Sequence, residues 1–321
     1  MSRKFILFLV IMISTNIVDR PLNILATGST HTDWFVSRGC LPVQSAHALN
    51  QAELQKFVDL SRGRLTPDQM KRIRDAVKQS GILDEFKEAG LSSLVLSPSE
   101  KKRVILYTNR IAQIHPPHKG RKRLPLASVL RPLFILARER AKAGKEPVME
   151  NRAAILAASL FAKGADLSLV LGKDAAMALR PKIKPRQVTL SGRHDLTLHF
   201  LSSAALALTV GPEQAHRVGL EKELSDSRGG SGFSFVDLAA NRAGIQLALT
   251  ATAFPEEAQM IQIRMGRIKK DTDIMPVTTG LPEGLSESKF IRLFENTESK
   301  KFLRISKAID ERIVRCPVYW Q

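Results

Sequence analysis

Acidic and histidine side chains recur at helical spacing among small apolar residues in the segment 192–244. Asp195 and His199 are four residues apart, and Glu223 and Asp226 are three apart in the next helical pattern. Residues at these spacings lie on the same face of an α-helix, so each pair is expected to point in one direction. Two helices could therefore each present polar groups to a shared site.

A third helical pattern has the same four-residue spacing of polar residues, between Asp237 and Asn241. Imidazole and carboxylate groups suit zinc, manganese or iron where no thiolate pair is at hand. A metal ion held in this way can activate water for hydrolysis. We therefore predict a divalent metal site. Its predicted ligands are Asp195, His199, Glu223, Asp226 and Asp237.

The same residues also fit proton transfer. His199 lies in an apolar stretch, and an imidazole beside a carboxylate can act as a general base with a fixed tautomer. On this interpretation the catalytic residues are His199, Asp195 and Glu223.

A structural interpretation of the polar residues stays open. Asp195 can cap its own helix, and Glu223 and Asp226 can pair with neighbouring cations. Ser234, between two phenylalanines, is predicted to cap the helix that contains Asp237.

In combination, these motifs resemble the pattern of VanZ-like and YfiM-like bacterial cell-envelope proteins over about residues 192–244. The resemblance implies an envelope location and no defined reaction. It is carried by Asp195-x-x-x-His199-Phe200, Gly219…Glu223-x-x-Asp226 and Phe233…Asp237-Leu238-Ala239-Ala240-Asn241…Gly244.

The chain is strongly basic, with a formal net charge of +18 over 321 residues. Residues 101–145 hold 13 cations against one acid, and such a concentration must be mostly solvated. We predict a docking patch for an anionic polymer or lipid head groups, with a plain solubilising face as the alternative. Aromatic residues are only 6% of the chain, which disfavours recognition of nucleic acid by base stacking. The predicted patch residues are Lys119, Arg121, Lys122 and Arg123.

The N-terminus has the pattern of a secretory signal peptide. Arg3 and Lys4 precede the apolar run 5–13, which is too short to span a bilayer, and polar residues follow it. We predict a signal peptide at 1–26 and a periplasmic or secreted protein. The alternative is a cytosolic nucleic-acid-binding protein whose apolar start is a buried helix. Elsewhere we expect no transmembrane segment.

Apolar periodicity predicts a mainly α protein, a multi-helix globular bundle with little β structure. After the signal peptide we expect a basic helical region at 27–145, a helical core with the polar site at 146–254, and an amphipathic helical tail at 255–321. Cys40 and Cys316 can pair in an oxidising compartment, although separate thiols are equally compatible with the sequence.

Two functional hypotheses follow. The first is an exported enzyme that uses a metal ion to hydrolyse or modify an anionic envelope component. The second is a non-catalytic periplasmic scaffold or binding factor, whose polar cluster stabilises a helix junction and whose basic face binds a partner.

Overall fold

The computed structural model describes residues 96–114, 123–164, 167–179 and 187–320. This part of the chain is mainly α-helical, as predicted, with one two-stranded sheet. The helices are α1 (Pro98–Ala112), α2 (Leu126–Lys142), α3 (Pro147–Lys163), α4 (Leu167–Leu171), α5 (Lys173–Leu179), α6 (His194–Val210), α7 (Pro212–Ser227), α8 (Phe235–Thr252), α9 (Pro255–Met265), α10 (Glu287–Phe294) and α11 (Lys300–Val314). Strands β1 (Arg123–Pro125) and β2 (Gln187–Thr189) pair in parallel.

The predicted signal peptide at 1–26 and Cys40 lie outside the described residues. Cys316 is buried just beyond the end of α11, and its pairing with Cys40 stays a prediction. Among the described helices, none combines the length and the apolar character needed to cross a bilayer.

Side-chain caps fix where several helices begin. Ser97 accepts the N–H of Glu100, and the Glu100 carboxylate accepts the N–H of Ser97, which forms a capping box at α1. Glu146 accepts two free N–H groups at the start of α3. Ser234 accepts the N–H of Asp237 at 3.0 Å, so the predicted cap of α8 is confirmed.

Helices α3 and α8 form the centre of the hydrophobic core. Both are rich in alanine, and most of their side chains are buried. Helix α6 packs against both of them, while α1 and α2 cover the other side of α3. Small side chains let these helices approach closely, so a polar residue that faces inward has no water to bind and needs a partner within the protein.

A buried ion-pair network joins α1 and α2 to α3. The Glu150 side chain is fully buried and accepts a hydrogen bond from the Tyr107 hydroxyl at 2.9 Å. Its carboxylate also pairs with Arg103 at 3.3 Å and with Arg140. Two cations of the basic segment therefore neutralise an internal carboxylate and do not serve an external partner.

Pro132 lies inside α2, beyond the first turn where a proline is normally tolerated. A proline there removes one backbone hydrogen bond. The helix nevertheless continues, because its apolar face, which includes Val129, Leu133 and Phe134, is buried along its length. Tertiary packing outweighs the local penalty.

Within the segment 255–321, which the sequence predicted as an amphipathic helical tail, α10 and α11 are amphipathic helices. Their apolar faces pack on the segment that leads into α8. Ring centroids lie 4.6 to 6.0 Å apart between this segment and the tail. The tail thereby holds in place the turn that contains Ser234. The rings involved are Phe233 and Phe235 on one side and Phe290, Phe294 and Phe302 on the other.

Gly244 allows α8 to approach α6. A Cβ atom at this position would lie 1.9 Å from the carbonyl oxygen of Phe200. Any other residue must therefore push the two helices apart. His199 directly precedes Phe200, and Asn241 lies about one turn before Gly244, so this contact also sets the distance between His199 and Asn241.

We expect Gly244→Ala to lower the free energy of unfolding by about 3 kcal/mol, because the added methyl group overlaps the Phe200 carbonyl. Helix propensity alone acts in the opposite direction, by about 1 kcal/mol. Urea unfolding followed by circular dichroism measures the change. Leu249→Ala, at a solvent-exposed position of α8, is the control, with an expected loss below about 1 kcal/mol. A Gly244→Ala variant as stable as the wild type would contradict the tight contact.

Candidate metal centre

Three helices bring His199, Glu223 and Asp237 together. One ligand atom from each residue lies within 4.8 Å of the other two, and both carboxylates are buried. His199 comes from α6, Glu223 from α7 and Asp237 from the first turn of α8. The predicted convergence of three helices is therefore present for these three residues.

The turn between α7 and α8 positions Glu223. The backbone N–H groups of Gly230 and Gly232 donate to the Asp226 carbonyl at 2.8 and 3.1 Å, which folds the chain back at the end of α7. The N–H of Ser234 then donates to Glu223 Oε2 at 3.2 Å. One carboxylate oxygen is fixed by this hydrogen bond, and Oε1 is left to face the group.

The His199 ring contacts a different partner at each nitrogen. Nδ1 lies 3.1 Å from Asn241 Oδ1 and 3.8 Å from Glu223 Oε1, and Nε2 lies 3.5 Å from Asp237 Oδ2. The side chain is 9% exposed, and burial lowers the pKa of His199. A neutral imidazole with one free lone pair is therefore favoured at neutral pH.

The two carboxylates each have an oxygen without a hydrogen bond. Glu223 Oε1 and Asp237 Oδ1 are buried and have no hydrogen-bond partner in the part of the chain that the structure describes. Burial raises the pKa of Glu223 to about 8 and also raises the pKa of Asp237. Buried polar atoms in native proteins are usually satisfied, so these oxygens indicate a missing cation or proton.

An ammonium group already lies beside the three side chains. Lys222 Nζ is 3.5 Å from His199 Nε2, 3.6 Å from Glu223 Oε1 and 2.7 Å from Asp226 Oδ2. Burial acts to lower the pKa of Lys222, but the hydrogen bond to Asp226 and the charge of Glu223 outweigh it and raise that pKa. Lys222 is therefore a cation and partly neutralises the group.

Asp195 lies outside the group, although the sequence predicted it as both a ligand and a catalytic residue. Its side chain is half exposed and accepts hydrogen bonds from the Arg193 guanidinium, which lower the pKa of Asp195. Arg193 also contacts Glu283 and lies 3.6 Å from Asp237 Oδ1. The shared helix face was inferred correctly, but Asp195 is at the solvent-exposed start of α6 and is already paired.

Asp226, another predicted ligand, is also outside the group. Its carboxylate accepts hydrogen bonds from Lys222 at 2.7 Å and from Ser231 at 3.3 Å, and its backbone carbonyl closes the turn after α7. The structural interpretation therefore fits Asp226, whereas Glu223, three residues earlier, faces inward.

The geometry of the three residues is compatible with a metal ion. Ligand bonds of about 2.0–2.2 Å in a tetrahedral site place ligand atoms about 3.4 Å apart. The 3.5 Å between His199 Nε2 and Asp237 Oδ2 matches this spacing, and the ligand atom of Glu223 lies within 4.8 Å of both others, so Glu223 would have to move inward. The group could therefore hold one metal ion, provided that the ammonium of Lys222 moves away.

Sequence reasoning missed two side chains at the group: Lys222, which contacts His199 and Glu223, and Ser203, which donates to Asn241 beside His199. Lys222 was considered only as an ion-pair partner, and Ser203 was not singled out. Ser203 is four residues after His199, and Lys222 is four before Asp226, so the helical spacing contained a signal for both. Both were overlooked because hydroxyl and ammonium groups are common on helices that bind nothing.

Lys119, Arg121 and Lys122 of the predicted anionic docking patch lie outside the described residues. Arg123, the fourth, is exposed on β1 and donates to Gln187 Oε1 at 3.1 Å.

Two surface cavities lie away from the three residues. One, of about 370 Å³, is lined by residues that include Thr272, Arg312 and Arg315, and the other, of about 240 Å³, lies between α7 and α10. Neither includes His199, Glu223 or Asp237 in its lining.

No family model, curated protein or solved structure matches this chain. The resemblance to VanZ-like and YfiM-like envelope proteins therefore stays a prediction. Function has to be argued from the geometry of His199, Glu223 and Asp237.

The raised pKa of Glu223 predicts a pH-dependent stability. Folding moves this pKa up from 4.5 to about 8, so the carboxyl contributes most favourably below about pH 4.5, and that contribution is lost as the pH rises to about 8. Glu223→Gln keeps the shape and cannot ionise. In protein treated with chelator, the variant should gain stability relative to the wild type across this range.

Urea unfolding at several pH values measures this difference. Glu257→Gln, at an exposed position of α9, is the control and should follow the wild type at every pH. A constant difference between Glu223→Gln and the wild type would show that Glu223 does not titrate as its burial implies.

Proposed function

We propose that this protein binds one divalent transition metal ion through His199, Glu223 and Asp237 and uses it to hydrolyse or modify an anionic component of the bacterial envelope. The observation that carries the proposal is the convergence of one ligand atom each from His199, Glu223 and Asp237, where the buried Glu223 Oε1 has no hydrogen bond. One divalent cation could be ligated by His199 Nε2, Glu223 Oε1 and Asp237 Oδ2 together.

The chemistry of the donors limits the choice of metal. One imidazole and two carboxylates suit zinc, manganese or iron(II) better than a thiolate-seeking ion. Calcium and magnesium usually take six or more oxygen ligands or keep several waters, and the buried group has little room for those. We therefore favour zinc, manganese or iron(II).

A bound ion would supply an acidified water molecule for hydrolysis. The chain supplies the rest of the chemistry. Glu223, whose pKa is raised in the metal-free protein, would release its proton on binding the ion, so metal binding would depend on pH. Lys222 and Arg193 lie at the edge of the group and are each about a third exposed, so they favour a substrate that carries negative charge.

The envelope location rests on the sequence, namely the signal-like N-terminus and the motif resemblance. The anionic partner is supported by cations on the surface of the described part. These are Lys102 and Arg110 in α1 and Arg131, Arg138 and Lys142 in α2, all exposed. A cationic surface of this kind attracts phosphate-rich polymers or head groups.

One observation favours the alternative, a non-catalytic envelope factor. The Lys222 ammonium contacts His199, Glu223 and Asp226 without any metal. In that case the cluster is a helix junction held by an internal ion pair, and the protein acts through its basic surface.

A matched pair of variants tests metal binding. Asp237→Asn removes a proposed ligand, whereas Asp195→Asn makes the same change at a carboxylate outside the group. Loss of an outer-shell partner of a metal ligand typically weakens metal binding roughly 10- to 100-fold. We expect Asp237→Asn, which removes a ligand itself, to weaken zinc binding by at least this factor. Asp195→Asn should leave zinc binding nearly unchanged. Isothermal titration of chelator-treated protein with zinc, manganese and iron(II) gives the affinities.

Equal affinities of the wild type and Asp237→Asn for all three ions would contradict the metal proposal. An equal loss in both variants would contradict the assignment of ligands, since Asp195 is paired with Arg193.

Lys222→Met separates the two functions. If the protein binds a metal ion, that ion competes with the Lys222 ammonium. Removing the ammonium should therefore tighten zinc binding about 10-fold or more. The metal-free variant should also unfold more easily, because its buried carboxylates lose a cation. Calorimetric titration and thermal unfolding with and without zinc measure both effects.

The scaffold alternative gives a different result for the same variant. Lys222→Met would then lose stability, and zinc would neither bind more tightly nor restore the loss. Lys307→Met, at an exposed position of α11, is the control for removing one lysine charge.

A further inference from the structure

Asn241 is buried between α6 and α8 and contacts the back of His199. Its Oδ1 lies 3.1 Å from His199 Nδ1 and 2.9 Å from the Ser203 hydroxyl. Both Asn241 and Ser203 are 3% exposed, so water does not compete for these contacts. One carboxamide oxygen thus faces two possible donors.

Gly219 on α7 makes room for this carboxamide. A Cβ atom at residue 219 would lie 3.0 Å from Asn241 Nδ2. Gly244, about one turn farther along α8, lets α8 approach α6 at Phe200, so Asn241 lies in a closely packed part of the helix contact. The amide is therefore positioned by packing as well as by its hydrogen bonds.

The contact at Nε2, the other nitrogen of the His199 ring, indicates the tautomer of the imidazole and the orientation of the Asn241 amide. Lys222 Nζ is 3.5 Å from His199 Nε2, and an ammonium group can only donate. This contact favours a lone pair on Nε2, which puts the proton of a neutral ring on Nδ1. Nδ1–H needs an acceptor, and Asn241 Oδ1 provides it.

We propose that Asn241, supported by Ser203, is a positioning residue that holds His199 in its Nδ1–H tautomer and makes Nε2 the metal-binding nitrogen. The metal part of this inference rests on the proposed function, and the tautomer does not. The 3.5 Å between Nε2 and Asp237 Oδ2 is long for a direct hydrogen bond and suits two atoms that face one ion.

The same assignment accounts for Glu223. Its Oε1 is 3.8 Å from Nδ1, which is too far to compete with Asn241 Oδ1 as the acceptor of the Nδ1–H hydrogen bond. Glu223 therefore stays available on the side of the group that faces Asp237 and Lys222. Ligating histidines commonly donate their second N–H to a fixed acceptor, which orients the ring, and Asn241 has that geometry.

Long-range proton–nitrogen NMR of protein labelled at histidine nitrogens tests the tautomer directly. The chain has seven histidines, so His199→Ala identifies the signals of residue 199. In metal-free wild type at neutral pH, Nδ1 should give a protonated signal and Nε2 an unprotonated one. The reverse pattern would overturn the inference, whether or not the protein binds a metal.

Three variants test the cause. Asn241→Leu removes the acceptor and should mix or reverse the tautomers and weaken zinc binding by about 10- to 100-fold. Asn241→Asp keeps the acceptor oxygens and should restore the wild-type tautomer. Gln246→Leu, the same type of change farther along α8, should leave the His199 signals unchanged.

The NMR spectra and the zinc affinities together distinguish a failure of this inference from a failure of the proposed function. A wild type with the expected tautomer that binds no zinc supports the role of Asn241 and contradicts the proposed function alone. An Asn241→Leu variant that folds, as judged by circular dichroism, and keeps both the tautomer and the zinc affinity overturns the inference. Should Asn241→Leu fail to fold, the wild-type and Asn241→Asp spectra still decide it.

Discussion

Two buried carboxyl groups and an imidazole in mutual contact cannot remain as they are without a positive charge or added protons. Glu223 and Asp237 would repel one another if both were ionised, and burial makes each charge more costly. Lys222 meets part of this requirement from the edge of the group, yet Glu223 Oε1 and Asp237 Oδ1 still lack hydrogen bonds. This requirement for positive charge or added protons links the fold to the proposed chemistry.

The rest of the molecule maintains this arrangement. Gly244 brings α8 against α6, and the turn after α7 returns the chain so that Ser234 contacts Glu223. The aromatic cluster of α10 and α11 presses on that turn. At the chain end, the Tyr319 hydroxyl donates to the Ala243 carbonyl at 3.1 Å, next to Gly244. Regions distant in sequence therefore fix the same few side chains, and the cluster is buried because all of them pack at once.

Local patterns predicted the helices well, since their signals act over a few residues. The apolar period predicted the mainly α fold, and the Ser234 cap follows from side-chain chemistry at a helix start. The proline inside α2 shows what such patterns leave out, because the burial that outweighs its penalty comes from other helices. Periodicity alone contains no information about such packing.

Three of the five predicted ligands, His199, Glu223 and Asp237, lie together, but helical spacing could not separate them from the other two. Asp195 and Asp237 are both four residues from a polar neighbour, yet one is paired with Arg193 in solvent and the other is buried. That difference depends on which helix covers which face.

A crystal grown with zinc and measured at the zinc absorption edge tests the central claim most directly. We expect one anomalous peak about 2.0–2.2 Å from His199 Nε2 and from one oxygen each of Glu223 and Asp237, with Lys222 turned away. An anomalous map without a peak at this position, together with electron density that places the Lys222 ammonium still beside His199 Nε2 and Glu223, would contradict the account.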